Sequence, residues 1–124
     1  MTEFDRSDGI AALLAAVLML AARVLGLTEL AGAHPFWARQ VVYLGVPIGL
    51  ILAWIIRRTG IGRTARLGIY LVGTAVFFAL AAWGKMRFAA SFADDALAGQ
   101  VWYFGWIATA ALGTALLARL FSRN

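Results

Sequence analysis

Four apolar stretches, each close to the length that crosses a bilayer as a helix, occupy most of this 124-residue chain, at residues 9–28, 41–56, 67–83 and 101–118. A hydrocarbon core of about 30 Å needs roughly 20 helical residues, and the stretches lack the two-residue alternation of half-buried strands. The sequence therefore predicts an all-α integral membrane protein. We expect an antiparallel bundle of four transmembrane helices with short connectors, forming one domain over residues 1–124.

The composition agrees with this class of protein. Hydrophobic residues make up 63% of the chain and charged residues only 14%, whereas soluble domains are about a quarter charged. The chain has no cysteine, which excludes disulfides, thiolate metal sites and thiol catalysis within it. The net charge of +5 is accounted for by topology, so no nucleic-acid partner is predicted.

The distribution of lysine and arginine predicts the orientation. An even number of spans places both termini on one side, and that side carries seven of these residues, whereas the other carries only Arg39, Lys85 and Arg87. The positive-inside rule then predicts cytoplasmic termini, in a bacterial inner (plasma) membrane. Four arginines of the second connector are expected to contact anionic lipid: Arg57, Arg58, Arg63 and Arg66.

Small residues mark the predicted packing faces, because helices in lipid approach closely where side chains are small. They recur at intervals of four in two of the stretches, as Gly45, Gly49 and Ala53 and as Gly105, Thr109 and Gly113. In the third stretch they share one side of the helix, as Gly68, Ala75, Ala79 and Ala82. Contacts within one subunit are the favoured interpretation of these stripes, and docking of a different protein is the alternative.

Arg23 is the one charged residue clearly inside a predicted span. A charge at the centre of a membrane helix costs about 2.5 to 3.5 kcal/mol, so an intramembrane arginine is a candidate functional residue. Two roles are open. It is either a structural arginine that reaches the headgroups or pairs with an acidic residue of the outer connectors, or a contact for a ligand or partner.

The outer connectors hold the remaining candidates for chemistry, which are Glu29, His34, Asp94 and Asp95. Together they would form an outer-face site with carboxylate oxygens for a cation and one imidazole for proton transfer. A single histidine cannot supply a zinc site of three or four ligands, and adjacent aspartates in a connector also serve as helix caps. No catalytic residue, metal site or cofactor is indicated by the sequence itself.

Aromatic residues cluster where the fourth stretch begins, at Trp102, Tyr103 and Trp106. Tryptophan and tyrosine are enriched where a helix meets the headgroups, so these residues predict an interfacial belt. A surface for a pigment or quinone is the alternative.

Three functions fit these features. The first is a noncatalytic accessory or assembly subunit of a larger respiratory, photosynthetic or transport complex, with lipids and other membrane subunits as partners. The second is a small homo-oligomeric channel or transporter, with an anion as its cargo. The third is a lipid-modifying enzyme with an outer-face site. The first is favoured, because the stretches present smooth glycine and alanine faces and few ionisable groups. The protein is therefore expected not to be an enzyme.

Overall fold

The computed structural model describes residues 6–32, 38–92 and 94–122. This part of the chain is entirely helical outside its turns, with helices at α1 (Arg6–Val24), α2 (Leu27–Leu30), α3 (Ala38–Arg58), α4 (Arg63–Ala90) and α5 (Ala96–Phe121). A bundle of four long helices therefore forms, with α2 as a single extra turn. Three described segments are long and apolar enough to cross a membrane: Gln40–Arg58, Arg63–Ala90 and Ala96–Phe121.

The sequence predicted one continuous helix over residues 9–28, but the structure divides this stretch into two helices. Helix α1 ends at Val24, and Gly26 adopts a left-handed backbone with φ of 77°. Glycine takes this conformation without the steric penalty that other residues meet, so the chain turns here and starts α2. The apolar residues after Gly26 thus do not extend α1.

The other long helices extend beyond their apolar stretches. Helix α4 has 28 residues and is about 42 Å long, so it exceeds the hydrocarbon thickness of about 30 Å. Its last turns include Lys85 and Arg87, which the sequence had assigned to a connector. The link between α4 and α5 is correspondingly short, at residues 91–95.

Helix α5 lies at the centre of the bundle. It packs against α4 on one side and against α3 and α1 on the other, whereas α4 has at most marginal contact with α1 or α3. The bundle is thus open: α4 is attached to it through α5. The apolar core lies around α5, where α3 and α4 pack against it, and contains Val41, Val42, Val46, Ala81, Trp102 and Trp106.

Glycines allow α5 to approach its neighbours closely. A Cβ atom on Gly45 would lie 2.5 Å from the Cβ of Ala110, and one on Gly49 would collide with the carbonyl of Ala111. On the other side of α5, a Cβ on Gly84 would lie 2.6 Å from the carbonyl oxygen of Ala98. These distances are too short for any side chain, so glycine is required at each position.

Candidate functional site

Polar side chains gather at the end of the bundle where α1 begins, α3 ends, α4 begins and α5 ends. Three arginines meet there from three helices, and each is less than a tenth exposed: Arg57 7%, Arg66 8% and Arg119 6%. Asp8, Tyr70 and Ser122 lie in the same cluster and are also buried. We call these six residues the arginine cluster. Charged side chains are rarely buried to this extent unless they are paired or serve a function.

The antiparallel arrangement explains why residues so distant in sequence meet. Asp8 lies in the first turn of α1 and Arg57 in the last turn of α3, while Ser122 follows α5 as its C-cap residue. Arg57 and Asp8 form an ion pair. The hydroxyl of Ser122 donates a hydrogen bond of 2.6 Å to the other carboxylate oxygen, Oδ1 of Asp8. Asp8 therefore joins the ends of α1, α3 and α5.

A small cavity lies inside the arginine cluster. Its volume is about 50 Å³, several times what one water molecule needs. The six cluster residues line it, and Leu50, Ala53 and Trp54 of α3 form part of its apolar wall. The Nε atom of Arg119 is buried and has no hydrogen-bond partner within the described residues. The guanidinium groups of the cluster therefore border a space that a small ligand could occupy.

The four arginines expected to contact anionic lipid separate into two pairs. Arg58 and Arg63 are exposed at the bundle surface, where lipid contact is open to them. Arg58 lies over the ring of Trp54, with its guanidinium carbon 5.1 Å from the ring centroid, as in a cation–π contact. Arg57 and Arg66 instead point into the arginine cluster. The two pairs are therefore suited to different roles.

Arg23 lies in the last turn of α1 and is half-buried. Its guanidinium carbon is 5.9 Å from the centroid of the Tyr43 ring on α3, which makes an aromatic contact. Among the described residues it forms no ion pair with Asp94 or Asp95. Arg23 thus links α1 to α3, at the opposite end from the arginine cluster.

The residues of the predicted outer-face site are only partly described. His34 lies outside the described residues, and so does the side chain of Glu29. Asp95 caps α5, because its Oδ1 accepts a hydrogen bond of 3.0 Å from the backbone N–H of Ala98. Asp94 is exposed beside it. Within residues 6–32, 38–92 and 94–122, no three metal-ligating side chains come together.

Two of the three aromatic residues expected to form an interfacial belt lie in the core instead, and the third, Tyr103, is half-buried. Trp102 and Trp106 are buried in the core, at 8% and 6% exposure. The indole N–H of Trp102 donates a hydrogen bond of 2.9 Å to the carbonyl of Gly32. This bond ties α5 to the turn after α2, so Trp102 anchors the end of the bundle opposite the arginine cluster.

The predicted packing residues occupy different surroundings. Gly45 and Gly49 face α5, while Gly105 faces Ala81 of α4. Thr109 is buried, and its hydroxyl donates a hydrogen bond of 2.7 Å to the carbonyl of Gly105. Two residues make no such close approach, since a Cβ on Gly113 would meet open space and Ala53 lines the cavity.

The predicted small-residue stripe of α4 lies on the wrong side of the helix for contacts within the chain. All four of its residues, Gly68, Ala75, Ala79 and Ala82, are exposed. Helix α4 turns a different side to α5, one that carries Tyr70, Ala81 and Gly84. Spacing alone identifies a smooth side, but it does not identify the neighbour that uses it.

The arginine cluster itself was not predicted. Asp8 precedes the first apolar stretch and Arg119 follows the fourth, and neither was among the candidate site residues that the sequence offered. A usable signal existed, since in an antiparallel bundle the start of the first span and the end of the fourth lie at one end. Comparison with protein-family models, with curated proteins and with solved structures finds no match to this chain.

Proposed function

We propose that this chain is an integral membrane protein that serves as a noncatalytic accessory subunit of a larger membrane complex. The observation that carries the proposal is the outward face of α4, which is apolar, smooth and not covered by any other described helix. The partner is another membrane protein, whose helix packs on this face.

Membrane residence is supported by the surface of the bundle. Large apolar side chains on α4 are widely exposed, including Leu71 at 57% and Val72 at 62%. The turn at the outer end presents Phe92, which is 95% exposed. In water such a surface would be an aggregation hazard, whereas lipid or a partner helix covers it favourably.

The proposed orientation places the arginine cluster on the cytoplasmic side of a bacterial plasma membrane. Helix α1 begins and α5 ends at that end of the bundle, and the connector with Arg58 and Arg63 lies there too. The lysine and arginine excess of this side supports cytoplasmic termini by the positive-inside rule.

Docking on α4 is supported by the shape of its outward face. Gly68, Ala75, Ala79 and Ala82 lie on the side opposite the contact with α5. Helix association in lipid depends on packing and not on hydrophobic attraction, so a smooth strip of small residues favours a close helix neighbour. A helix that faces lipid alone gains nothing from such a strip.

Native mass measurement after gentle solubilisation tests the proposal. The expected result is stoichiometric co-purification with larger, different membrane subunits. Ala79→Leu places a bulky side chain in the strip, and Ala21→Leu, at an exposed position of α1, serves as the matched control. We expect Ala79→Leu to release the partner and Ala21→Leu to retain it. A chain that purifies alone in both native and variant forms contradicts the proposal.

The orientation has a separate test, because the cysteine-free chain allows single thiols to be placed at will. Thr59→Cys lies in the connector of the arginine end and Asp94→Cys in the connector of the outer end, and both positions are exposed. A maleimide that does not cross membranes should label Asp94→Cys in intact cells and Thr59→Cys only after lysis. The reverse pattern would place the termini outside.

A homo-oligomeric anion channel or transporter is the second candidate, and the buried arginines favour it. Guanidinium groups from three helices outnumber the single carboxylate of Asp8 in the cluster, so they provide a contact for an anion. This candidate predicts a pure homo-oligomer in the same mass measurement, together with anion flux in liposomes. Flux that persists after Arg119→Gln would argue against a path through the cluster.

A further inference from the structure

We propose that the cavity in the arginine cluster is a binding site for a phosphate group. The binding group is a tetrahedral phosphate oxyanion, presented either by the headgroup of an anionic phospholipid or by free inorganic phosphate. Arg119 and Arg66 are the principal donors, with the Tyr70 hydroxyl beside them.

The charges that line the cavity support an anionic ligand. Three guanidinium groups and one carboxylate face it, which leaves an excess of two positive charges among the lining residues. The carboxylate of Asp8 already contacts Arg57 and Ser122. Burial of like charges is costly unless an opposite charge is present, so an anion in the cavity stabilises the arrangement.

Arg119 provides the most direct evidence for an anionic ligand. It is more than nine-tenths buried, and its Nε atom has no hydrogen-bond partner within residues 6–32, 38–92 and 94–122. A buried donor without an acceptor costs about 1 to 3 kcal/mol, more when the donor is charged. Guanidinium groups match phosphate oxygens with parallel hydrogen bonds, which makes phosphate the acceptor of choice.

The start of α4 adds a second attraction for anions. Arg66 lies in the first turn of this 28-residue helix, where the helix dipole is positive. A cation at that position is unfavourable for the helix alone, whereas a cation together with a bound anion is favourable.

The position of the cavity suits a lipid headgroup in particular. It lies at the end of the bundle, and part of its wall is apolar, formed by Leu50, Ala53 and Trp54. Trp54 is 45% exposed, so this wall continues to the outer surface of α3. An acyl chain can lie on that surface while its phosphate reaches the arginines.

Native mass spectrometry of the chain purified in a nonionic detergent tests the site. The probes are phosphatidylglycerol and diacylglycerol with the same acyl chains, which differ in the phosphodiester headgroup. We expect phosphatidylglycerol to bind at about tenfold lower concentration, since a charge-assisted hydrogen bond is worth that factor. Inorganic phosphate is the second probe, with chloride at equal ionic strength as its control and the unfolding temperature as the readout.

Both positive patterns support the site and identify its source of phosphate. Inorganic phosphate that raises the unfolding temperature and displaces phosphatidylglycerol shows that the phosphate group suffices. Preferential binding of phosphatidylglycerol with no effect of inorganic phosphate shows that the acyl chains are needed as well. Equal binding of the two lipids with no effect of inorganic phosphate overturns the proposal.

Two variants separate the cavity from general surface attraction. Arg119→Gln should weaken phosphatidylglycerol binding about tenfold, whereas Arg58→Gln, at the same end but exposed, should change it less than twofold. Equal losses in the two variants would overturn the assignment to the cavity. Circular dichroism and size exclusion check that each variant folds, and if Arg119→Gln does not, the comparison of probes on the native chain decides alone. The test uses the isolated chain and so does not depend on a partner on α4.

Discussion

Helices α4 and α5 are of similar length and apolar composition, yet they occupy different environments. Half of the residues in the apolar segment of α5 are buried within the chain, whereas only 17% of those of α4 are. Among the described residues, helix α5 has neighbours on both sides, whereas α4 packs mainly against α5. Apolar composition therefore predicts that both helices belong in a membrane, but their positions in the bundle decide what covers them.

The side chains of α5 explain why it can be enclosed. Buried small residues occur on several sides of it, and they include Gly105, Thr109, Ala111 and Thr114. Threonine hydroxyls there bond to their own helix backbone, as Thr114 does to the carbonyl of Ala110 at 2.7 Å. Helix α4 instead carries exposed phenylalanine and leucine on its flanks, with small residues on only two narrow sides.

The largest loss of unfolding free energy is expected in the arginine cluster, where charged groups are buried beside α5. Asp8→Asn removes the carboxylate that pairs with Arg57 and accepts the hydrogen bond of Ser122. Removal of one partner of a buried pair leaves an uncompensated charge, so we expect a loss of about 3 kcal/mol in the free energy of unfolding. Unfolding in mixed micelles with a denaturing detergent measures it.

Asp94→Asn is the matched control for this change, because Asp94 is exposed at the other end of the bundle. Its effect should stay within about 0.5 kcal/mol. The double variant Asp8→Asn with Arg57→Gln should cost less than the sum of the single changes, because the two residues interact directly. Additive losses would show that the ion pair does not stabilise the bundle.

Two glycines of α4 test which side of the helix meets α5. Gly84→Ala places a Cβ atom 2.6 Å from both the Ala98 carbonyl oxygen and the Trp102 backbone nitrogen. Such overpacking should cost about 1 to 3 kcal/mol in unfolding free energy. Gly68→Ala meets nothing within 4 Å and should be neutral or stabilising by up to about 1 kcal/mol. Equal destabilisation would mean that α4 faces α5 with a different side.

A smaller effect is expected at the start of α5. Asp95→Ala removes the side chain that accepts from the Ala98 N–H and should cost about 1 kcal/mol in unfolding free energy. Asp94→Ala, one residue earlier, lacks this capping bond and should leave the unfolding free energy within about 0.5 kcal/mol. The same mixed-micelle titration compares them, and a larger loss in Asp94→Ala would mean that Asp94, and not Asp95, caps the helix.

The sequence predicted the four long helices because uninterrupted apolar runs dictate helices in lipid. It placed the end of the first run wrongly, since Gly26 interrupts the helix while the apolar residues continue to Thr28. It also ended the third run early, because Lys85 and Arg87 look like connector residues although the helix continues through them. Apolar runs therefore predict which segments span the membrane, but they do not predict the residues at which the helices end.

The arginine cluster lay beyond prediction for a different reason. Asp8 and Arg57 are distant in sequence, and their contact depends on the relative rotation and height of α1 and α3, which no local pattern specifies. The side of α4 that packs was missed in the same way. Gly68 and Ala79 have the spacing of a packing strip, but only the position of α5 shows that they face outward.

Crosslinking from single cysteines in native membranes tests the proposal that the outward face of α4 docks another protein. Ala79→Cys lies on that face, and Ala81→Cys, on the same helix, is fully buried against the rest of the bundle. We expect that Ala79→Cys, labelled with a thiol-reactive photocrosslinker, captures one distinct membrane protein, whereas Ala81→Cys captures none. Ala79→Cys that reacts only with lipid-soluble thiol reagents and captures no protein would contradict it.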